Sequence, residues 1–325
     1  MNRRLAMGAL LAAFGSLSIG PAAQAADAYP DRPIHLIVGF PAGTTTDILA
    51  RIYAEKMGKL LNATFVVENM PGAASNNAAA TAAHSAPDGY TLFVASNANT
   101  TGISLYKDLR YKIPEDFEPI SQLASAPPVL AVSNQLGVNS VQELIALAKK
   151  KPGEVLFGSA GVGTGPYMAA EVLEMLAGIK MTHVPYKGTN LALTDLMTGR
   201  ISVLFAPLPS VSGVAKSGKI KLLASTPAKR PSVAPDLPTI AESGVKGFDV
   251  TLWFGLVAPK GTPRPILVKL ANAVQATGKS EDVKARLALA GGEPMTLTLD
   301  DFGVFLKNDV PKWAAIAKHA GLEPQ

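Results

Sequence analysis

The chain has 325 residues, 48% of them hydrophobic and 17% charged, which excludes a disordered protein and leaves enough length for two cores. Its formal charge of +5 falls to +3 once a leader carrying Arg3 and Arg4 is removed, too mild a balance for a nucleic-acid binder. Cysteine is absent, so neither disulfides nor a lipid-modified cysteine is available and the apolar cores must hold the fold.

The first segment reads as an export signal. Arg3 and Arg4 precede an apolar run from Leu5 to Ile19, and Ala23-Gln24-Ala25 supplies an A-x-A cleavage site. Export with cleavage after Ala25 is expected, placing the mature protein in the periplasm. The arginine pair alone is weak support for the twin-arginine route over the general secretory one. The apolar run is short for a bilayer span, and no later segment is long and apolar enough to cross one.

Strand-like and helix-like runs then alternate. "IHLIVGF" (34–40) reads as a strand. "DILARIYAEKMGKLL" (47–61) reads as a helix, with Ile48, Ile52, Met57 and Leu60 at roughly helical spacing. "TFVVEN" (64–69) and "YTLFVAS" (90–96) read as strands around a helix over 74–85. After 118–134 the pattern restarts: helix 141–151, strand 154–160, helix 166–178, strand 180–186, helix 190–199, and strands 200–207 and 220–226. A proline-rich passage (227–238) precedes a strand over 247–259 that returns to the first domain, and helices follow near 264–276, 280–290 and 299–320. This alternation predicts an α/β protein with mainly parallel sheets flanked by helices.

Two segments share a plan. "LIVGFPAGTTTDILARIYAEKM" and "VLFGSAGVGTGPYMAAEVLEML" each run from a strand through a glycine-containing turn to hydroxyls at a helix start. Each is expected to aim free backbone N–H groups and the positive end of a helix dipole at one spot, one from each domain. Facing each other across a cleft, they would hold an acidic ligand without a buried lysine or arginine, which would be costly to desolvate. Thr44 to Asp47 also suit helix capping, the preferred reading for Asp47, with an indirect role in shaping the loop. Trp253 and Phe254 read as core between the lobes rather than as a ligand platform.

Enzyme motifs are thin. Gly161-Val162-Gly163-Thr164-Gly165 fails the dinucleotide spacing because Pro166 takes the last glycine's place, and no Walker lysine follows Gly43. His35, His84, His183 and His319 have no metal-binding spacing, Ser104 to Lys107 matches S-x-x-K without its companion motifs, and no G-x-S-x-G elbow exists. No catalytic residue, metal or cofactor is expected.

The ordered markers "YPDRPIHLIVGFPAGTTTD", "VVENMPGAASN", "APDGYTLFVAS", "FEPISQLA", "VPYKGTNLALTDLMTGRI", "LPTIAESG" and "WFGLVAPKGTP" span the mature chain. On them the chain resembles the extracytoplasmic solute receptors of the tripartite tricarboxylate transporter family, the Bug proteins. The resemblance implies a type II periplasmic-binding-protein fold: two lobes closing like a clamshell on a carboxylate held by backbone amides and hydroxyls of two loops, often through waters. Lobe 1 is expected over 26–124 plus 250–325 and lobe 2 over 125–249. The family usually has glycines at the places of Thr44 and Thr45, a serine run and then histidine at Thr164 to Tyr167, and a glycine and a small residue at Thr189 and Asn190. The pocket should therefore carry different hydroxyls and an added phenol from Tyr167.

The candidate contacts follow. On the first loop they are Phe40, Ala42, Gly43, Thr44, Thr45, Thr46 and Asp47; on the second, Ser159, Gly161, Gly163, Thr164, Gly165 and Tyr167. At further strand ends, where ligands of open α/β sheets gather, they are Ser96, Asn97, Tyr186, Lys187, Gly188, Phe205, Ala206 and Pro207. The leading reading is a monomeric receptor that delivers a small carboxylate to inner-membrane transporter subunits. A receptor feeding a membrane sensor kinase and a periplasmic hydrolase are the alternatives. Candidate ligands are dicarboxylates, citrate-like tricarboxylates, acidic amino acids and aromatic carboxylates, with a tilt toward an aromatic or longer dicarboxylate.

Overall fold

The structure, a computed structural model, describes residues 29–324 except 160, 187 and 320. The export signal and Lys187 lie outside the described residues. The first stretch gives β1 (Ile34–Val38), α1 (Thr45–Leu61), β2 (Phe65–Asn69), α2 (Asn76–Ala83), β3 (Thr91–Ser96), α3 (Asn97–Leu105) and β4 (Phe117–Ser125). The middle gives β5 (Pro128–Ser133), α4 (Val141–Lys150), β6 (Leu156–Ser159), α5 (Gly165–Ala177), β7 (Thr182–Pro185), α6 (Thr189–Met197), β8 (Val203–Pro207), α7 (Leu208–Lys216) and β9 (Ile220–Ser225). Last come β10 (Trp253–Pro259), α8 (Arg264–Lys279), α9 (Glu281–Leu289), β11 (Glu293–Pro294) and α10 (Leu299–His319).

The strands form two sheets. The first runs β11-β4-β10-β3-β1-β2 and the second β7-β6-β8-β5-β9. Both are mixed rather than mainly parallel. β1 is parallel to β2 and β3, and β6 to β7 and β8, while β4, β5, β9, β10 and β11 pair antiparallel. β4 leaves the first sheet directly for β5 in the second. With no helix crossing over between them, nothing constrains these strands to run parallel.

The run over 118–134 is thus two strands, broken at Ala126-Pro127, where Pro127 has no N–H to extend a ladder. The strand expected over 247–259 begins only at Trp253. Before it, Val250 N–H is donated to Thr226 O and Asp249 accepts from Ala228 N–H, so this stretch braces the crossing between sheets.

Each sheet is covered on both faces. α1 buries Leu49, Ile52, Tyr53 and Met57 against the first sheet, and each fully buried side chain contributes roughly 1.5–3 kcal/mol. Ile48 and Leu60, read from the sequence as part of that apolar face, are instead exposed. α5 supplies Met168, Ala169, Val172 and Leu173 to the core of the second sheet, where Trp313 from α10 joins them. That long helix is pinned by Asp309, whose Oδ2 accepts from Trp253 Nε1 (2.9 Å), Trp313 Nε1 (3.0 Å) and Thr100 Oγ1 (2.6 Å).

Candidate functional site

Parallel neighbours place their following helices at one sheet edge. In the first sheet α1 and α3 start beside each other after β1 and β3; in the second, α5, α6 and α7 start together after β6, β7 and β8. Residues from the first turn of all five helices line one cavity of about 1020 Å³ between the sheets. Among the described residues, no charged side chain lines it. The positive ends of helix dipoles supply its field instead, each worth about 0.3–1 kcal/mol to an anion.

The two glycine loops have one geometry. Pro41 O accepts from Thr44 N–H (3.4 Å) and Thr44 Oγ1 (2.8 Å), closing a turn with Gly43 at φ +79°. Gly161 O accepts likewise from Thr164 N–H (3.3 Å) and Thr164 Oγ1 (2.7 Å), with Gly163 at φ +82°. A type II turn needs that left-handed third residue, which is why glycine recurs there. Thr44 and Thr164 are then helix N-caps with nearly the same backbone (φ −74°, ψ 162° and φ −70°, ψ 151°). Behind them Thr45, Thr46 and Asp47 in α1, and Gly165 and Tyr167 in α5, carry first-turn N–H groups with no acceptor inside the helix. Pro166 has none to offer.

The braces behind the loops differ. Asp47 is buried, and its carboxylate accepts from Gly43 N–H (2.9 Å), Asn69 Nδ2 (2.9 Å) and Arg51 Nε (3.0 Å). Burial pushes this carboxyl up, but the donors and the Arg51 charge outweigh it and hold it below the usual carboxylate range. Gly43 N–H is therefore occupied, and Asp47 shapes the loop from behind rather than facing a ligand. In the second loop Ser159 Oγ lies 2.8 Å from His183 Nε2 and 3.1 Å from Gly161 N, which donates to it. Burial lowers the His183 pKa, so the ring is neutral near pH 7.

Of the residues expected from the sequence, Phe40, Gly43, Thr44, Thr45, Thr46, Ser96, Asn97, Gly161, Thr164, Gly165, Gly188 and Pro207 line the cavity. Ala42 is exposed at the turn. Gly163 and Gly165 fit between the sheets: a methyl on Gly163 would lie 2.8 Å from Leu105 Cδ1, and one on Gly165 would lie 1.9 Å from Leu252 Cδ2. Tyr167 does not add a phenol to the pocket. Its ring packs between Phe157 and His183 in the core, because the first turn of α5 turns that position toward the sheet. Ser159, Phe205 and Ala206 are buried in or beside the second sheet, and Tyr186 turns its hydroxyl to Asp195 Oδ2 (2.9 Å).

Sequence reasoning passed over a further wall. Ala73, Ala74 and Ser75 form a left-handed turn (φ 46°, 51° and 78°) against Gly39, a conformation with no signal in non-glycine residues. Leu252 and Phe254 also face the cavity, while Trp253 is core as expected. A shallower groove of about 660 Å³ beside α1 carries Arg51, Lys59 and Arg286, but each is paired with Asp47 or Glu55.

Two facing sheets with helix N-termini converging on a cleft that no charged side chain lines among the described residues make an α/β binding fold. The model of the tripartite tricarboxylate transporter family receptor matches residues 49–322, and the chain belongs to that family. It is 33% identical to BugT of Bordetella pertussis, over 99% of this chain and 98% of that protein. Among solved structures, R. palustris Rpa4515 with adipate is 34% identical with a TM-score of 0.83, covering 91% of this chain and all of that one. The periplasmic binding protein BugD is 35% identical with a TM-score of 0.80 over the same shares. The family is one of receptors, and the chain is a binding protein rather than an enzyme.

Proposed function

We propose that this protein is a periplasmic receptor that captures a small carboxylate between two lobes and delivers it to the membrane subunits of a tripartite transporter. The carrying observation is the matched pair of turns that aim helix N-termini from opposite sheets into a cleft lined by no charged side chain among the described residues. In this reading 1–25 is removed after Ala25, lobe 1 comprises 26–124 and 250–325, lobe 2 comprises 125–249, and the protein acts as a monomer. Contacts come from Phe40 and Gly43 to Thr46 on one loop and from Gly161, Thr164 and Gly165 on the other. Ser96, Asn97, Gly188 and Pro207 complete the wall. The adipate held by Rpa4515 is a ligand of this chemical kind.

The test is calorimetry on the mature protein with C4 to C8 dicarboxylates, citrate and benzenedicarboxylates, followed by the diamide of the tightest binder. A carboxylate should bind near micromolar, about −8 kcal/mol. Its diamide should bind about 100-fold more weakly, because charge-assisted hydrogen bonds are worth about 1.5–3 kcal/mol each. Equal affinities for acid and diamide would remove the anion argument.

A further inference from the structure

Around the cleft several loop carbonyls are capped, while three buried polar side chains stand open. Pro41 O and Gly161 O are taken by Thr44 and Thr164, and Phe40 O accepts from Asn69 Nδ2 (3.0 Å). Asp47, the acid nearest the first loop, is turned away into its three donors. The C-terminal end of α9 reaches the rim at Leu289 and Ala290, but the carbonyls of Arg286, Leu287 and Ala288 already accept from Ala290, Gly292 and Gly291. Ala160 and Lys187, outside the described residues of these loops, bring no acceptor side chain.

The donors show the opposite pattern. Ser75, Ser96 and Asn97 are 0%, 2% and 4% exposed on the cleft wall, and Ser75 Oγ, Ser96 Oγ and Asn97 Nδ2 have no hydrogen-bond partner among the described residues. Ser96 and Asn99 are placed as a capping box, yet only the Asn99 Oδ1 half is a full hydrogen bond (3.0 Å, from Ser96 N–H). Ser96 and Asn97 stand at the N-terminus of α3, and Ser75 is the N-cap of α2. Above them the walls are apolar: Phe254 and Leu252 from one side, Pro207 and Pro209 from the other, Ile48 and Leu191 at the rim.

We infer that the cleft takes carboxylates with an unsubstituted apolar body, straight-chain or aromatic, and rejects ligands carrying an ammonium group. The inference rests on the carboxylate reading above and narrows it. An α-ammonium entering this site finds dipole ends of its own sign and, among the described residues, only neutral hydroxyl and amide oxygens to receive it, with no carboxylate to offset its desolvation. A methylene chain or ring instead covers apolar wall that water would otherwise wet.

The experiment compares adipate, benzene-1,4-dicarboxylate, 2-aminoadipate, malate and citrate by calorimetry, on the mature protein and on Ser75→Ala and Ser96→Ala. Adipate or the benzene diacid should bind at least 10-fold tighter than 2-aminoadipate, about 1.4 kcal/mol. Ser75→Ala removes a hydroxyl that no group among the described residues uses, so its Tm should not fall while adipate affinity drops about 3- to 10-fold. A merely structural serine would move Tm and leave affinity alone. Binding of 2-aminoadipate as tight as that of adipate, or of malate or citrate in preference to both apolar diacids, overturns this inference and leaves the carboxylate reading standing. No binding of any of the five acids overturns both.

Discussion

The loop at 41–47 and the loop at 161–167 share a turn, a left-handed glycine and a threonine cap, and differ in everything behind them. The first is held by a carboxylate, with Asp47 gathering Gly43, Asn69 and Arg51. The second is held by neutral groups, Ser159 and His183, and by glycines fitted against Leu105 and Leu252 of the other side. The ligand-facing geometry tolerates either brace because both fix the same few backbone N–H groups. The difference lies in sensitivity: the first loop depends on charge, the second on fit across the cleft.

The largest expected effect breaks the charged brace. Asp47→Ala leaves Gly43 N–H without its acceptor and Arg51 without its carboxylate, while Asn69 Nδ2 keeps Phe40 O and Arg51 keeps Asn69 Oδ1. Arg51 is half exposed (52%), which weakens its share of the pair, so the expected stability loss is about 2–3 kcal/mol. Adipate affinity should fall at least about 10-fold as the loop relaxes. The pH dependence has a definite sign. Because the folded value of Asp47 is lowered, its contribution is fully present above the unfolded value of about 3.9 and is lost as pH falls through the folded value. Denaturant unfolding from pH 5.5 to 3 should converge for wild type and Asp47→Ala. A constant gap over that range would mean the carboxylate is not the brace.

Next in size is the fit across the cleft. Gly165→Ala forces a methyl group toward Leu252, so that side chain must rotate within its buried site or the two sheets must part. Overpacking of this kind costs roughly 1–3 kcal/mol. The variant should bind adipate more weakly and scatter with a larger radius of gyration than wild type at saturating adipate. Gly43→Ala is the contrast: nothing lies within 4 Å of its new methyl, and only the φ of +79° is strained, at roughly 1–2 kcal/mol. Equal radii for Gly165→Ala and wild type, at equal affinity, would show that this contact does not set closure.

These contrasts also mark what the residues disclosed in advance. The strand–turn–helix plan at both loops was readable, since glycine, threonine and a following amphipathic run each have a local cause. α3 was not: "NANTTGISL" has no apolar stripe, and its Asn97, Asn99, Thr100 and Thr101 are nonetheless buried, anchored in part through Asp309. α7 was not read either: "LPSVSGVAK" is short and holds Pro209 and Gly213, which mask the helical spacing of Leu208, Val211, Val214 and Ala215. The phase of α1 was misjudged because Ile48 belongs to the cleft rim and not to the core. Tyr167 was assigned to the pocket by its place after the glycine loop, but helical direction turned it toward Phe157 and His183. Which way a side chain points within one turn, and whether three alanine and serine residues wind left-handed, depend on neighbours distant in sequence.

The smallest effect isolates the neutral brace. Ser159 Oγ accepts from Gly161 N–H, so its own proton goes either to His183 Nε2 or to Gly161 O (3.2 Å). With His183 neutral, one tautomer accepts that proton at Nε2 and the other donates from Nε2 to Ser159 Oγ while the hydroxyl turns to Gly161 O. His183→Gln offers an amide that serves either arrangement, so stability at pH 7.5 should change by less than about 1 kcal/mol, the size of one ordinary hydrogen bond. The two proteins should separate on acidification. Burial lowers the folded value of His183, so its contribution is complete above the unfolded value of about 6.5 and is lost as pH falls toward the lower folded value. Wild type should therefore lose stability between pH 7 and 5 in a way His183→Gln does not, while Asp47 remains ionised throughout. Chemical denaturation at pH 7.5, 6.5 and 5.5 reads the difference directly, and superimposable profiles would assign the second loop's rigidity to the packing of Gly163 and Gly165 alone.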